Sequence, residues 1–197
     1  MSLVLGIAGH AKSGKTTLAR AIGDQTGWPV ASFGEEVLAI AHERGLPLGD
    51  VVTQRTTLMR LGERLVATDL EAFCARVLAQ GRWSPGRSLV VEGIRHVVVV
   101  HMLERLAAPT PFRLVLVETP GAMREQRLRE AGVGGPLTRA TMDAHSTERE
   151  VTTDLAAFAH AVVPGDGDPT AAAARVLADF AAVAAGGPRA AARRDPR

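Results

Sequence analysis

A chain of 197 residues, 46% apolar and 22% charged, can bury a sizeable core in one domain and is not globally disordered. Its net charge of +2 gives no argument for a nucleic-acid partner. The single cysteine, Cys74, rules out an internal disulfide and a cysteine-rich metal site, and reads as a small buried hydrophobe rather than a reactive thiol.

In chain order, the first apolar run covers residues 3–8. No basic segment with a long apolar run opens the chain, and no apolar stretch reaches the roughly 18 residues of a membrane span. The expectation is therefore a cytoplasmic protein with no membrane partner. A glycine-rich loop follows, then a helix over residues 15–25. Residues 29–33 form a weaker apolar run. The spacing of Val37, Leu38, Ile40 and Ala41 predicts a helix over 33–44. A longer helical pattern covers 55–80, with a break near Thr68-Asp69, where Asp69 is placed to cap a second helix.

Residues 88–91 form a strong apolar run, and the spacing predicts a helix over 94–107. Its four consecutive valines look like strand, but the crossover that a parallel sheet needs decides for helix. Residues 113–117 and 159–163 are the last two strands, with a helix over 121–131 between them. Buried apolar runs alternating with helical patterns predict parallel strands in an α/β fold. One domain is expected over residues 1–185. Residues 132–138, rich in Gly and Pro, and the tail 186–197 are expected to be mobile.

The loop Gly9-His10-Ala11-Lys12-Ser13-Gly14-Lys15-Thr16 matches G-x-x-x-x-G-K-[ST] at every fixed position. Strand before and helix after are the context in which such a loop wraps its N–H groups around the β-phosphate of a nucleotide. Gly9 and Gly14 allow the backbone this requires. Lys15 supplies a compact cation for the β- and γ-phosphates, and Thr16 a hydroxyl ligand for Mg²⁺. ATP and Mg²⁺ are the cofactors implied, with Gly9, Ser13, Gly14, Lys15, Thr16 and Thr17 as their binding residues. Of the 23 Lys and Arg residues only two are lysines, Lys12 and Lys15, and both lie in this loop. Where a point charge must fit among phosphate oxygens, Lys and Arg are not interchangeable.

A second acidic group belongs near the metal, and Glu92 ends the run at 88–91. It holds the metal or orients the acceptor on one reading, and meets a helix N-terminus on the other. Arg95 lies within reach of a phosphate. Arg124, Arg127 and Arg129, with Arg139 beyond, form either a solvated face or a lid over the phosphates. In the lid, guanidinium groups would stabilise the charge of transfer and water would be excluded. At the C-terminal end of the second strand, Phe33 and Glu35 face the expected crevice. Glu35 is an acceptor contact or a helix-start carboxylate. Arg55 is the first candidate for a fork on an acceptor phosphate, while Arg60 and Arg64 read as exposed. Trp28 and Trp83 read as packing residues.

Taken together, Gly9–Thr16, Phe33-Gly34-Glu35, Arg55 with Leu58-Met59-Arg60-Leu61-Gly62-Glu63, Glu92-Gly93-Ile94-Arg95-His96 and His145-Ser146-Thr147-Glu148 resemble small P-loop nucleotide kinases. The likeness is to phage deoxynucleoside monophosphate kinases and, more distantly, to dephospho-CoA kinases and adenylate kinases. It implies a three-layer P-loop fold with a five-stranded parallel sheet in the order 2-3-1-4-5. It also implies an acceptor-binding helical region around 34–80 and a lid around 120–147. It carries Arg55 to acceptor binding, Glu92 and Arg95 to the catalytic centre with Lys15, and Arg124 and Arg127 to the lid. The chain departs from the family pattern at Leu38, Met59 and Glu92, all on the acceptor half.

The expected activity is ATP-dependent phosphoryl transfer to a nucleoside monophosphate or related small phosphorylated metabolite, which needs no strong base because a phosphate acceptor is already anionic. Alternatives are a kinase for a hydroxyl acceptor, with Glu35 or Glu92 as base, and a nucleotide-binding regulatory protein with weak ATPase activity. A homodimer is left open.

Overall fold

The computed structural model describes residues 2–132, 151 and 154–184. The later lid residues, with Arg139, His145 and Glu148, and the tail 186–197 lie outside them. The described elements are β1 (Val4–Gly9), α1 (Lys15–Thr26), β2 (Val30–Ser32), α2 (Phe33–Glu43), α3 (Val51–Thr68), α4 (Leu70–Gln80), β3 (Leu89–Ile94), α5 (Val97–Ala107), β4 (Phe112–Glu118), α6 (Gly121–Glu130), α7 (Leu155–Phe158), β5 (Ala161–Pro164) and α8 (Pro169–Ala184).

The five strands form one sheet in the order β2-β3-β1-β4-β5, with every pairing parallel. Strand alternation sorts the apolar runs onto two faces. Val4, Ala8, Leu89, Val91, Leu114 and Leu116 pack with α2 to α5, while Leu5, Ile7, Val90, Val115 and Val117 pack with α1 and α8. Both faces are covered, which is why the strands read as continuous apolar runs rather than alternating ones. On α1, Leu18, Ala19 and Ile22 are buried, the face that the sequence spacing predicts.

Several boundaries differ from expectation. β3 runs on to Ile94, so Glu92 lies inside the strand and is no helix-start carboxylate. The register against β1 slips between Ile7 and Ala8, where Gly93 takes φ 90°, and the helix waits until Val97. The valine run is helical, with Val99 and Val100 buried. α3 starts at Val51, earlier than expected, because the Asp50 carboxylate accepts from the Thr53 N–H at 2.8 Å and caps it. Asp69 occupies the N-cap position of α4 but makes no side-chain cap.

α8 was not anticipated. Its start is nonetheless written in Asp168-Pro169: the Asp168 carboxylate accepts from the N–H groups of Thr170 and Ala171, and proline sits at the first helical position. α8 packs on α1, and Gln25 donates to the Thr170 carbonyl at 2.9 Å.

Candidate active site

β1 delivers the chain to Gly9 at the C-terminal edge of the sheet, and α1 departs from Lys15. Between them the backbone takes conformations that L side chains rarely adopt, with φ 152° at Gly9 and 96° at Gly14. A Cβ on Gly9 would come within 2.8 Å of the Val117 carbonyl oxygen. Gly14 stands at the N-cap of α1, so no side chain covers the first N–H groups of that helix. Such an end is a site for an anion. Lys15 is 8% exposed and donates from Nζ to the His10 carbonyl at 3.2 Å, which leaves the ammonium at the rim of the loop.

The next three carbonyls of the loop are gripped from outside. Arg124 Nε donates to Ala11 O at 3.1 Å, an Arg127 N–H donates to Lys12 O at 3.2 Å, and Thr119 Oγ1 donates to Ser13 O at 2.7 Å. A trans peptide points its N–H opposite to its carbonyl. The Ser13 N–H, opposite the Lys12 carbonyl, donates to the His10 carbonyl at 3.1 Å and closes a turn within the loop. Arg124 and Arg127 were expected in a lid over the phosphates; among the described residues both reach the loop backbone. Arg124 is 4% exposed, whereas Arg127 also lines a cavity beside the loop. Arg129, in contrast, is exposed and pairs with Glu125. Arg127 also donates to Gly165 O at 3.0 Å, and a Cβ on Gly165 would overlap Ser13 O. Thr119 and Gly165 were missed in the sequence because only the sheet brings them to the loop.

The loop holds a polar group that a bound phosphate oxygen would satisfy. Ser13 Oγ is buried at its centre without a hydrogen-bond partner among the described residues. Such an orphaned hydroxyl is costly unless a ligand satisfies it.

Glu92 is 6% exposed, and both its oxygens are engaged. Thr16 Oγ1 donates to Oε2 at 3.2 Å, and Ser32 Oγ donates to Oε1 at 2.5 Å. The two residues expected on the metal side, Thr16 and Glu92, are thus in contact. The described residues hold no cluster of three or more His, Cys, Asp or Glu side chains suited to a metal ion.

Two cavities open on either side of this centre. The first, about 360 Å³, has an apolar wall that includes Phe33, Val37, Leu58, Met59 and Phe73. Phe33 and Phe73 meet edge to face, with ring centroids 5.1 Å apart. Gln54 and Arg55 from α3, and Arg95 and His96 after β3, add polar groups, and Glu92 is the one carboxylate on its lining among the described residues. The second, about 470 Å³, runs from Lys12, Gly14 and Thr17 past Arg127 to Pro164, Gly165 and Pro169. Lys15 and Thr16 line both. The structure therefore gathers Lys15, Thr16, Phe33, Arg55, Glu92 and Arg95 around one space. Glu35 stays outside: it is exposed in the first turn of α2 and lines neither cavity.

No protein-family model matches the chain, and no curated protein matches it. Solved structures do. A shikimate kinase from Acinetobacter baumannii in complex with shikimate aligns with a TM-score of 0.60 at 14% identity, covering 93% of this chain and 94% of its own. A gluconokinase from Sinorhizobium meliloti 1021 aligns at 0.58 with 18% identity and 94% coverage of each chain. A shikimate kinase from Aquifex aeolicus aligns at 0.55 with 14% identity, covering 93% and 99%. At such identities the likeness is one of fold. With the loop geometry and strand order, it defines the class: the protein has the three-layer α/β fold of P-loop nucleoside triphosphatases, as expected.

Proposed function

We propose that the protein is a small-molecule kinase that transfers the γ-phosphoryl group of ATP to a small phosphorylated metabolite, with a nucleoside monophosphate as the first candidate. The observation that carries this reading is the pair of cavities meeting at Lys15 and Thr16. One side suits a nucleotide whose phosphates lie in the loop, and the other suits an acceptor. Among the described residues Lys15, Arg55, Arg95 and Glu92 line the acceptor side, and arginine forks there suit a phosphate. The kinase neighbours of the same fold support the reaction class.

In this reading an acceptor phosphate oxygen attacks the γ-phosphorus, the bond to the β–γ bridging oxygen breaks, and ADP leaves. No proton has to be removed first, so no base is required. Arg55 and Arg95 screen the approach of two anions. Lys15 and the loop N–H groups stabilise charge on the bridging and β-phosphate oxygens. Thr16 would hold Mg²⁺, which would supply further neutralisation of the phosphate charge. Phe33 and the apolar wall bed the acceptor and exclude water, which otherwise competes for the phosphoryl group.

A hydroxyl acceptor is the second reading, favoured by Glu92 standing on the acceptor lining and by the shikimate and gluconate kinase neighbours. Glu92 is then the base. A screen with labelled ATP and Mg²⁺ across nucleoside and deoxynucleoside monophosphates, dephospho-CoA and sugars separates the two. The expected result is label on a phosphate-bearing acceptor. Label only on hydroxyl acceptors selects the second reading, and ATP hydrolysis indifferent to every acceptor contradicts both.

A further inference from the structure

The last residue of β2 serves two elements with one oxygen. Ser32 lies opposite Glu92 in the parallel register of β2 and β3, and is 5% exposed. Its Oγ accepts the Glu35 N–H at 3.3 Å, capping α2, while its hydroxyl proton goes to Glu92 Oε1 at 2.5 Å. Its own N–H donates to Gln80 Oε1 at 2.7 Å, which fixes the residue through the main chain as well. The other Glu92 oxygen receives the Thr16 hydroxyl. One hydrogen-bonded path thus runs from the first turn of α2, whose Phe33 and Gly34 line the first cavity, to the Thr16 hydroxyl.

We propose that Ser32 is a positioning residue that holds Glu92 against Thr16, so that metal-assisted nucleotide binding depends on the hydroxyl at the start of the acceptor helix. The inference rests on the reading of Thr16 as the metal-side hydroxyl. A carboxylate in a nearly solvent-free place needs a donor for each oxygen. Without the Ser32 hydroxyl, Oε1 is left unsatisfied, and the side chain turns toward whatever donor or solvent remains. Oε2 then leaves Thr16, whose proton is no longer drawn away from the metal side. A hydroxyl that merely capped a helix would influence the start of α2 and nothing at the loop.

The test is calorimetric titration of ADP with and without Mg²⁺, on the wild type and on Ser32→Ala, Ser32→Gly and Ser32→Thr. Glycine caps a helix nearly as well as serine, so Ser32→Gly removes the hydroxyl while largely sparing the start of α2, and it reports even if Ser32→Ala does not fold. Metal-free ADP affinity should be the same in all four proteins. The gain in affinity on adding Mg²⁺ should fall by about tenfold in the Ala and Gly variants, the scale seen when groups behind a metal ligand are removed. Ser32→Thr should restore it. A gain that survives in Ser32→Gly, or is lost equally in Ser32→Thr, overturns the proposal alone. A wild type that binds no ADP, or gains nothing from Mg²⁺, overturns the nucleotide-site reading and this inference with it.

Discussion

From His10 to Ser13, four carbonyls in a row accept hydrogen bonds from Lys15, Arg124, Arg127 and Thr119. The loop does not hold its shape through glycine alone. Glycine permits the conformation, and side chains from the β4–α6 segment select it. This division explains why the chain keeps lysine at 15 while using arginine on the loop carbonyls. A guanidinium offers several donors in a fixed plane and so suits carbonyls lying on different peptides, whereas the compact ammonium suits phosphate oxygens. We expect Lys15→Ala and Lys15→Arg to abolish transfer from ATP with the fold retained by circular dichroism. Transfer at wild-type rate in either variant contradicts the site.

The strand, glycine loop and helix around residues 9–16 were legible in the sequence because their constraint is local: the spacing of Gly9, Gly14 and Lys15 goes with the backbone that positive φ at both glycines permits. Thr119 and Gly165 were not legible, since they reach the loop only through strand pairing between β1, β4 and β5. Arg124 and Arg127 were legible as a pair on one helix face, but sequence alone does not say whether that face meets a ligand or a backbone. For Glu35, the neighbouring Glu36 is the buried one, paired with Arg76.

At the scale of elements, the acceptor side is built from α2 to α5 packed over one face of the sheet. α4 is the inner member, and its Cys74 has no exposed surface. Burial pushes the Cys74 thiol up to about 12. Because the folded value lies above that of a free thiol, near 8.5, the stability linked to the neutral thiol is complete below that pH. It is lost as pH rises from there through about 12. A disulfide-exchange reagent at mildly alkaline pH should therefore label Cys74 only after denaturation; prompt labelling of the native protein contradicts this packing. The strand order came only from the family resemblance, whereas the parallel strands and the helix over the valine run followed from apolar periodicity and the need for crossovers. The boundary at Glu92 did not, because the extra residues of β3 depend on a register slip at Gly93 that only pairing with β1 creates. α8 went unread despite its Asp-Pro start, because its alanine-rich body declares a face only once Val176 and Phe180 meet α1.

Across the whole molecule, the sheet edge places two cavities back to back, with Lys15 and Thr16 shared between them. No helix among the described residues is long and apolar enough to cross a membrane. The net charge of +2 is small, so the cationic character of the acceptor cavity is a local arrangement and not a property of the surface at large. On the proposed function, donor and acceptor recognition should accordingly be separable by mutation. The most direct measurement is steady-state transfer from ATP to the acceptor found in the screen, comparing the wild type with Arg55→Ala and Arg95→Ala. Removing one charge-assisted contact to an anion costs about 1.5–3 kcal/mol, which is about ten- to a hundredfold in acceptor KM or kcat/KM. The account predicts that loss on the acceptor side with the KM for ATP unchanged. A rise confined to the KM for ATP, or no effect of either arginine, would contradict it.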